Sequence, residues 1–501
     1  MPGTAEHAYG VTYTPAILAA QPSSAPLEQH SLTNIHLLDR LGIEYIRIQW
    51  ADLTNVVRFR IVPRQHITKL LATARPGVAT TKAILGIVGL AVAPGFTVVG
   101  EYLYVIDPSS FRINPYAPGH ASVMGFFQEK VPHPQRGLTV ATCPRTLLKS
   151  VVQEAERDAG VQFLVGFETE FILLKSFDEN EGTFEAANNE DYTTSAKLLT
   201  GTKEAVIVRE ISDALLMARV ELQMVHPEAA PGQYEVITGP LPPLEAADAL
   251  VFTTETIRNI ASKHDYRATL APRIHSTSCG SGLHAHISVH DTEQKPSASR
   301  TDSALAPTLT ASERSFLQGV LTHLPALTAL TLPTSASYSR MLDGIWAGGT
   351  YVVWGSDNRE APLRLCGSPR SVDGTSGGGH HFEVKALDAT ANPHVALAGL
   401  LGIGARAIKA GVQLVQRDCD SGAAFAMGEE ERRAFGPNGG EVVRMPNSVE
   451  EAREAFKADK EVRALLGEEF VEGYLSVNGL LNESLVGKTE NESVAKLLKL
   501  Y

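Results

Sequence analysis

The sequence predicts an α+β protein built on a mainly antiparallel sheet, and three observations lead there. Short alternating segments such as Tyr45–Trp50 and Val56–Val62 flank tight turn residues, the pattern of a hairpin. Longer stretches with apolar residues every three or four positions, such as those opening at Pro144 and Leu244, read as helices. Hairpin turns recur where strands and helices alternate, as at Pro231-Gly232, which favours antiparallel pairing over an all-parallel sheet.

In chain order, residues 1–30 are rich in Ala, Pro, Ser and Thr without periodicity and read as a tail. Residues 31–135 form a small β-rich domain. Its hairpin runs through Asp52–Asn55, with Asp52 at the tip as a turn-former. Val98–Asp107 is a further strand, and the segment Val131–Gly137 (VPHPQRG) reads as a linker. Residues 136–501 make the second domain. Pro144 opens its first helix, Leu147, Leu148, Val151, Val152 and Ala155 share one face, and Gly160 closes it. Then come a strand over Val165–Leu174, a helix over Lys203–Ala218, a strand over Val220–Val225 and the Pro231-Gly232 hairpin. A helix follows over Leu244–Lys263, then a strand over Arg267–Ala271 and one over Ser281–Val289. Pro296–Thr308 reads as a surface loop, and from Ser448, capped with Glu451, the chain is largely helical.

Composition narrows the function classes. The 501 residues suffice for two or three domains, and 44% apolar with 20% charged residues is ordinary for a globular protein. A formal charge of -12 with no basic block excludes a nucleic-acid backbone partner. Ile84–Ala93 is too short to span a bilayer. Four scattered cysteines and no basic-then-apolar leader pattern fit a cytoplasmic protein with free thiols.

The chemistry is concentrated in strands. VGFETEF puts Glu168 and Glu170 on one strand face, opposite Phe167, Thr169 and Phe171. One such pair could simply face water. Here the pattern recurs: SGLHAHISV places His284 and His286 on one face, HFEVKAL places Glu383 and Lys385 on one face, and HPEAAPGQYE carries Glu228 and Glu235 across a turn. Glu168, Glu170, Glu228, Glu235, His284 and Glu383 are therefore candidate metal ligands. Carboxylates with one imidazole suit Mg²⁺ or Mn²⁺, and five carboxylates suit two or more ions. Arg340, Arg359 and Arg364 supply cations able to fork onto carboxylate or phosphate oxygens.

These segments, with NREAPLR, the stretch HFEVKALDATANPH and the helical C-terminus, resemble the glutamine synthetase family over about Leu41–Val477. The resemblance implies an N-terminal β-grasp domain, a catalytic domain with a curved antiparallel sheet like that of guanido kinases, and a homo-oligomer of stacked rings. It also implies ATP, glutamate and an amine as substrates, joined through an acyl phosphate. By motif, Glu170, Glu228 and Glu235 would hold one ion, and Glu168, His284 and Glu383 another. His286 and Ser288 would lie on the nucleotide side. Arg340 and Gly280 would bind the glutamate carboxylate, Arg359 would neutralise the moving phosphoryl group, and Arg364 would assist at the nucleotide phosphates. Asp52 of an adjacent subunit would help deprotonate ammonium.

Four positions depart from the glutamine-forming pattern. The loop Gly344-Ile345-Trp346-Ala347-Gly348 has no acid where those enzymes carry one, Cys279 replaces an Asn, and Lys385 and His381 replace arginines. The ligands are retained while both substrate ends change, so an amine other than ammonia, or an acid other than glutamate, is expected, with Trp346 and Lys385 among the substrate contacts. Two alternatives stay open: a non-catalytic structural or signalling oligomer, and a guanidino-type phosphotransferase.

Overall fold

The structure, a computed structural model, describes residues 13–20, 32, 35–292, 305–306, 308–367 and 379–501. The expected hairpin is present as strands Tyr45–Ala51 and Val57–Pro63. Tyr45–Ala51 also pairs in parallel with His120–Val123, giving a four-stranded sheet, and a second four-stranded sheet packs beside it. Trp50, Tyr104 and Phe127 interlock between these sheets, with ring centroids 4.5–5.6 Å apart.

Two expectations for the N-terminal half change. Within the tail, Pro15–Ala20 is a short helix, and the Tyr13 hydroxyl just before it donates 2.6 Å to Glu221, which ties this stretch to the second half of the chain. The remainder of the tail and most of the Pro296–Thr308 loop lie outside the described residues. Val131–Gly137 is a hairpin and not a linker: Gly125–His133 pairs back with Gly137–Thr139, and Gly137 takes the left-handed φ of 60° that the turn requires. The run Pro134-Gln135-Arg136-Gly137 marks a turn whether it joins two domains or two strands; only the partner strand distinguishes them.

The second half is organised on one large, mainly antiparallel sheet. Its strands lie in the order Leu222–Pro227, Gln233–Leu241, Val161–Asp178, Leu283–Asp291, His380–Val384, Leu363–Gly367 and Trp354–Ser356, and only the last two run parallel. Alternation divides the central strand. Phe163, Val165, Phe167 and Phe171 are buried on one face, while Glu168 and Glu170 project from the other. The apolar face packs on helices Ala311–Thr331 and Pro393–Ala410, where Phe316 lies 5.6 Å from both Phe163 and Phe382. Those two helices approach closely because Gly319 and Gly404 face each other's partner; a Cβ on either would overlap Ala407 or Phe316.

The Pro144–Glu154 helix begins at its proline, ends in a wider turn over Ala155–Ala159 and closes at Gly160 with φ 65°. Among the described residues no helix is long and apolar enough to cross a membrane. The two halves are pinned by buried contacts. Asn55 Nδ2 donates 2.9 Å to the Ala389 carbonyl, Asn392 Nδ2 donates 2.9 Å to the Asp52 carbonyl, and the C-terminal Tyr501 hydroxyl donates 2.7 Å to the Thr54 carbonyl.

Candidate active site

Strand register assembles the polar face. Glu170 stands directly opposite Glu235, Glu168 opposite His284, and His286 opposite Glu383, which in turn faces Arg364. Because side chains alternate faces, these residues form one continuous band across five strands. The apolar positions that fix the register from beneath also fix which side chains meet above.

The band is tightly drawn together. His284 Nδ1 lies 2.9 Å from Glu168 Oε2 and 3.3 Å from Glu383 Oε1, and its Nε2 lies 3.9 Å from Glu170 Oε1. One potential ligand atom from each of Glu168, His284 and Glu383 falls within 4.8 Å of the others, and the same holds for Glu170, Glu235 and His284. Glu228 joins through a third group with Glu235 and His226. All six expected ligands are thus brought into three overlapping groups. His226 was not foreseen. Its Nε2 lies 2.9 Å from Glu235 and its Nδ1 3.6 Å from Glu228, and the bond to Glu235 pushes the imidazole up to about 9. The signal was in the sequence, since His226 opens the same HPE segment.

The charges explain why a cation fits. Burial, then the neighbouring Glu235 and Glu228, push the Glu170 carboxyl up to about 8, which marks an excess of negative potential among these three carboxylates. Burial would likewise raise Glu168, but the His284 and His286 imidazoles, with ring nitrogens 2.9 and 3.0 Å from its oxygens, hold it far below the usual range. Glu383, only 1% exposed, is held down to about 2 against burial by Lys385, whose Nζ bonds its Oε1, with Arg364 Nη1 3.0 Å from Oε2. Oxygen-rich donor groups of this kind suit hard divalent cations such as Mg²⁺ or Mn²⁺.

Gln233 orients one end of the band. Its Nε2 donates to Glu170 Oε2 at 2.9 Å, to the Gly280 carbonyl at 3.0 Å and to Ser281 Oγ at 3.0 Å, while Gly282 N–H donates to the same Glu170 oxygen at 3.0 Å. Arg340, 3% exposed, lies next to this turn. Its Nη2 donates to the Lys385 and Leu387 carbonyls at 3.1 and 3.0 Å, while its Nε is buried without a hydrogen bond. A Cβ at Gly280 would overlap both the Pro272 carbonyl and the Arg340 side chain, so the glycine permits that approach.

The remaining expected residues are placed less uniformly. His286 joins the band with Nε2 3.0 Å from Glu168 Oε1, and Ser288 Oγ pairs with His290 Nε2 at 2.8 Å further along the strand. Arg359 is exposed. Trp346 is 68% exposed, adopts a left-handed φ of 57°, and sits edge-on to Tyr192 at 6.1 Å. Gly348, two residues on, presses against the Lys385 side chain, which sets this loop beside the band. Asp52 is not brought to the band within the chain. Its carboxylate has no exposure and accepts from Thr54 N and Oγ1, Val56 N and, at 2.6 Å, Arg58 Nε, so here it serves the hairpin turn.

Comparison with known proteins identifies the family. Residues 141–483 match the family described as glutamine synthetase, catalytic domain. Protein fluG of Emericella nidulans is 31% identical over 497 residues, covering 97% of this chain and 53% of its own length, so the chain spans about half of that relative. A protein named gamma-glutamylpolyamine synthetase GlnA3, from Streptomyces coelicolor, is 30% identical, covering 87% of this chain and 89% of its own. Among solved structures, one described as a novel glutamine synthase homolog superposes with a TM-score of 0.74 at 25% identity, covering 92% of this chain and 99% of its own. A GmaS structure in complex with ADP shares the fold with a TM-score of 0.69 at 22% identity, covering 89% of this chain and 94% of its own. With the catalytic-domain match spanning well over half its length, the chain belongs to the glutamine synthetase family.

Proposed function

We propose that this protein joins the γ-carboxylate of glutamate to an amine larger than ammonia, with ATP as phosphoryl donor and an acyl phosphate between the two steps. The observation that carries the choice of amine is the Gly344–Gly348 loop, which presents an exposed indole and no carboxylate next to Lys385. Asp343, the acid directly before this loop in the sequence, is already engaged by Thr350 Oγ1 and by Arg444 Nη2 at 2.8 Å. Ammonium needs a carboxylate to hold it and take its proton. An alkylammonium must also lose a proton before it attacks, but its apolar carbons add a handle that ammonium lacks, which an exposed indole with Tyr192 at its edge accommodates through packing alongside cation–π attraction.

Glu170, Glu228 and Glu235, with His226, would hold one divalent cation, and Glu168, His284 and Glu383 a second. Bound there, the cations supply electrostatic stabilisation for a transferring phosphoryl group. The chain's own residues do the rest. Arg340 and the Gly280 turn hold the glutamate carboxylate; Arg359, exposed, meets phosphoryl oxygens; His286, Ser288 and Arg364 line the nucleotide side. Asp52 enters only as a residue of an adjoining subunit in a ring, and its hairpin would have to open for the carboxylate to accept a proton. The similarity to a relative named for polyamine ligation supports the amine class.

The test is phosphate release together with product mass, using ATP, Mg²⁺ and glutamate across ammonium, alkylamines and polyamines. Expected is a larger kcat/KM for an alkylamine or polyamine than for ammonium. Trp346→Ala should raise the KM for that amine about tenfold, the roughly 1.4 kcal/mol of a partly desolvated cation–π contact, with the KM for ATP unchanged. Ammonium as best acceptor would refute the amine assignment. No turnover with any amine would refute the ligase reading.

A further inference from the structure

Beside the carboxylate band lies a second donor group of different chemistry. Cys366 and His381 stand opposite each other on neighbouring strands, and His286 lies on the next strand, on the same face. One potential ligand atom from each falls within 4.8 Å of the others, and the two imidazole rings have centroids 5.0 Å apart. His286 and Cys366 belong to none of the carboxylate groups.

We propose that His286, Cys366 and His381, on the nucleotide side of the band and in contact with Glu168 and Glu383, form a further site for a soft or borderline transition-metal cation, of which Zn²⁺ is the representative. The donor set excludes the hard cations: Mg²⁺ takes oxygens, whereas one thiolate with two imidazoles suits Zn²⁺ and its neighbours in the first transition row. The geometry is nearly closed. Bonds of about 2.0–2.3 Å in a tetrahedron separate ligand atoms by about 3.5 Å, so the three atoms need to move inward by only about 1 Å. Strand register holds all three side chains, so little ordering is required on binding. A second observation points to a missing partner. His286 Nε2 is buried and makes no hydrogen bond; Glu168 Oε1 is near but out of line. On binding, the Cys366 thiol gives its proton to solvent and the sulfur donates an electron pair to the metal. Three protein ligands leave a fourth position open for water or a substrate oxygen.

The test uses Co²⁺ as a spectroscopic probe on the full chain, stripped with chelator under reducing conditions and held in saturating Mg²⁺ to fill the oxygen-rich sites. Expected are a cobalt–thiolate charge-transfer band and intense visible absorption of four-coordinate cobalt, saturating in one step and displaced by Zn²⁺. Cys366→Ser should abolish the charge-transfer band, while Cys279→Ser should leave it intact. His381→Ala should weaken Co²⁺ binding by about tenfold or more, which decides the matter if the serine variant does not fold. Absence of the band in the wild type, its survival in Cys366→Ser, or equal affinity in His381→Ala would each overturn the proposal. None of these readouts depends on amide formation, so the ligase reading and this one can fail separately.

Discussion

Replacing Glu170 with Gln tests the electrostatic core of the site. In the metal-free protein, burial together with Glu235 and Glu228 raises this carboxyl from 4.5 to about 8. A folded-state value above the unfolded one means that the native state holds the extra proton between the two. Stability is then full below about pH 4.5 and falls as pH rises through about 8. At 1.36 kcal/mol per pH unit the loss has an upper bound on the order of 5 kcal/mol. Glutamine cannot ionise, yet its amide oxygen can still accept the two hydrogen bonds that Gln233 and Gly282 now give to Glu170 Oε2. The Gln variant should therefore unfold in urea with a free energy that changes much less between pH 5 and 9 than that of the chelator-treated wild type. Cation binding should reverse the order. At about a hundred times its dissociation constant, Mg²⁺ or Mn²⁺ would stabilise the wild type by about 2.7 kcal/mol and the variant by clearly less. If the variant loses stability with pH as steeply as the wild type, or gains equally from metal, the three carboxylates do not share a cation.

Two further outcomes follow from the packing. Gly280→Ala should push Arg340 away from its position beside the turn, because the new Cβ overlaps the arginine side chain; steady-state kinetics should show a KM for glutamate about tenfold higher or more, as expected when a binding clamp is displaced by about 1 Å. The buried ion pair between Arg145 and Asp248 of the second domain, which also reaches Asp107 of the first, is the second. Arg145 grips Asp248 with two bonds of 2.9 and 2.7 Å and also reaches Asp107 at 2.9 Å, while His394 Nε2 lies 2.9 Å from Asp248. Asp248→Ala should cost about 3 kcal/mol in urea unfolding at neutral pH by leaving the buried guanidinium with Asp107 as its one remaining carboxylate. Burial alone would raise Asp248, but Arg145 and His394 hold it at about 2, below its ordinary 3.8. The pair's contribution is thus present above about pH 4 and lost as pH falls toward 2, and a variant that matches the wild type across that window would contradict it.

The sequence by itself determined the elements and the ligand chemistry. Period-two alternation in VGFETEF, GLHAHIS and HFEV fixed which side chains share a face, and turn residues such as Pro231-Gly232 fixed the hairpin that returns Glu235 opposite His226. Such rules act over a few residues, so they can be read locally. What the chain could not state locally was decided by tertiary contact. Val131–Gly137 became a hairpin because Gly137–Thr139 finds a partner strand. Glu235 came to face Glu170, and so brought His226 to the band, because its strand pairs with the central strand Val161–Asp178, far off in sequence. Asp52 was withdrawn into its own turn by Arg58. Cys366 and His381 became potential co-ligands only through the register between Leu363–Gly367 and His380–Val384. In each case the deciding partner lies on another strand or turn, and strand pairing, which sets which side chains meet, is a property of the folded sheet.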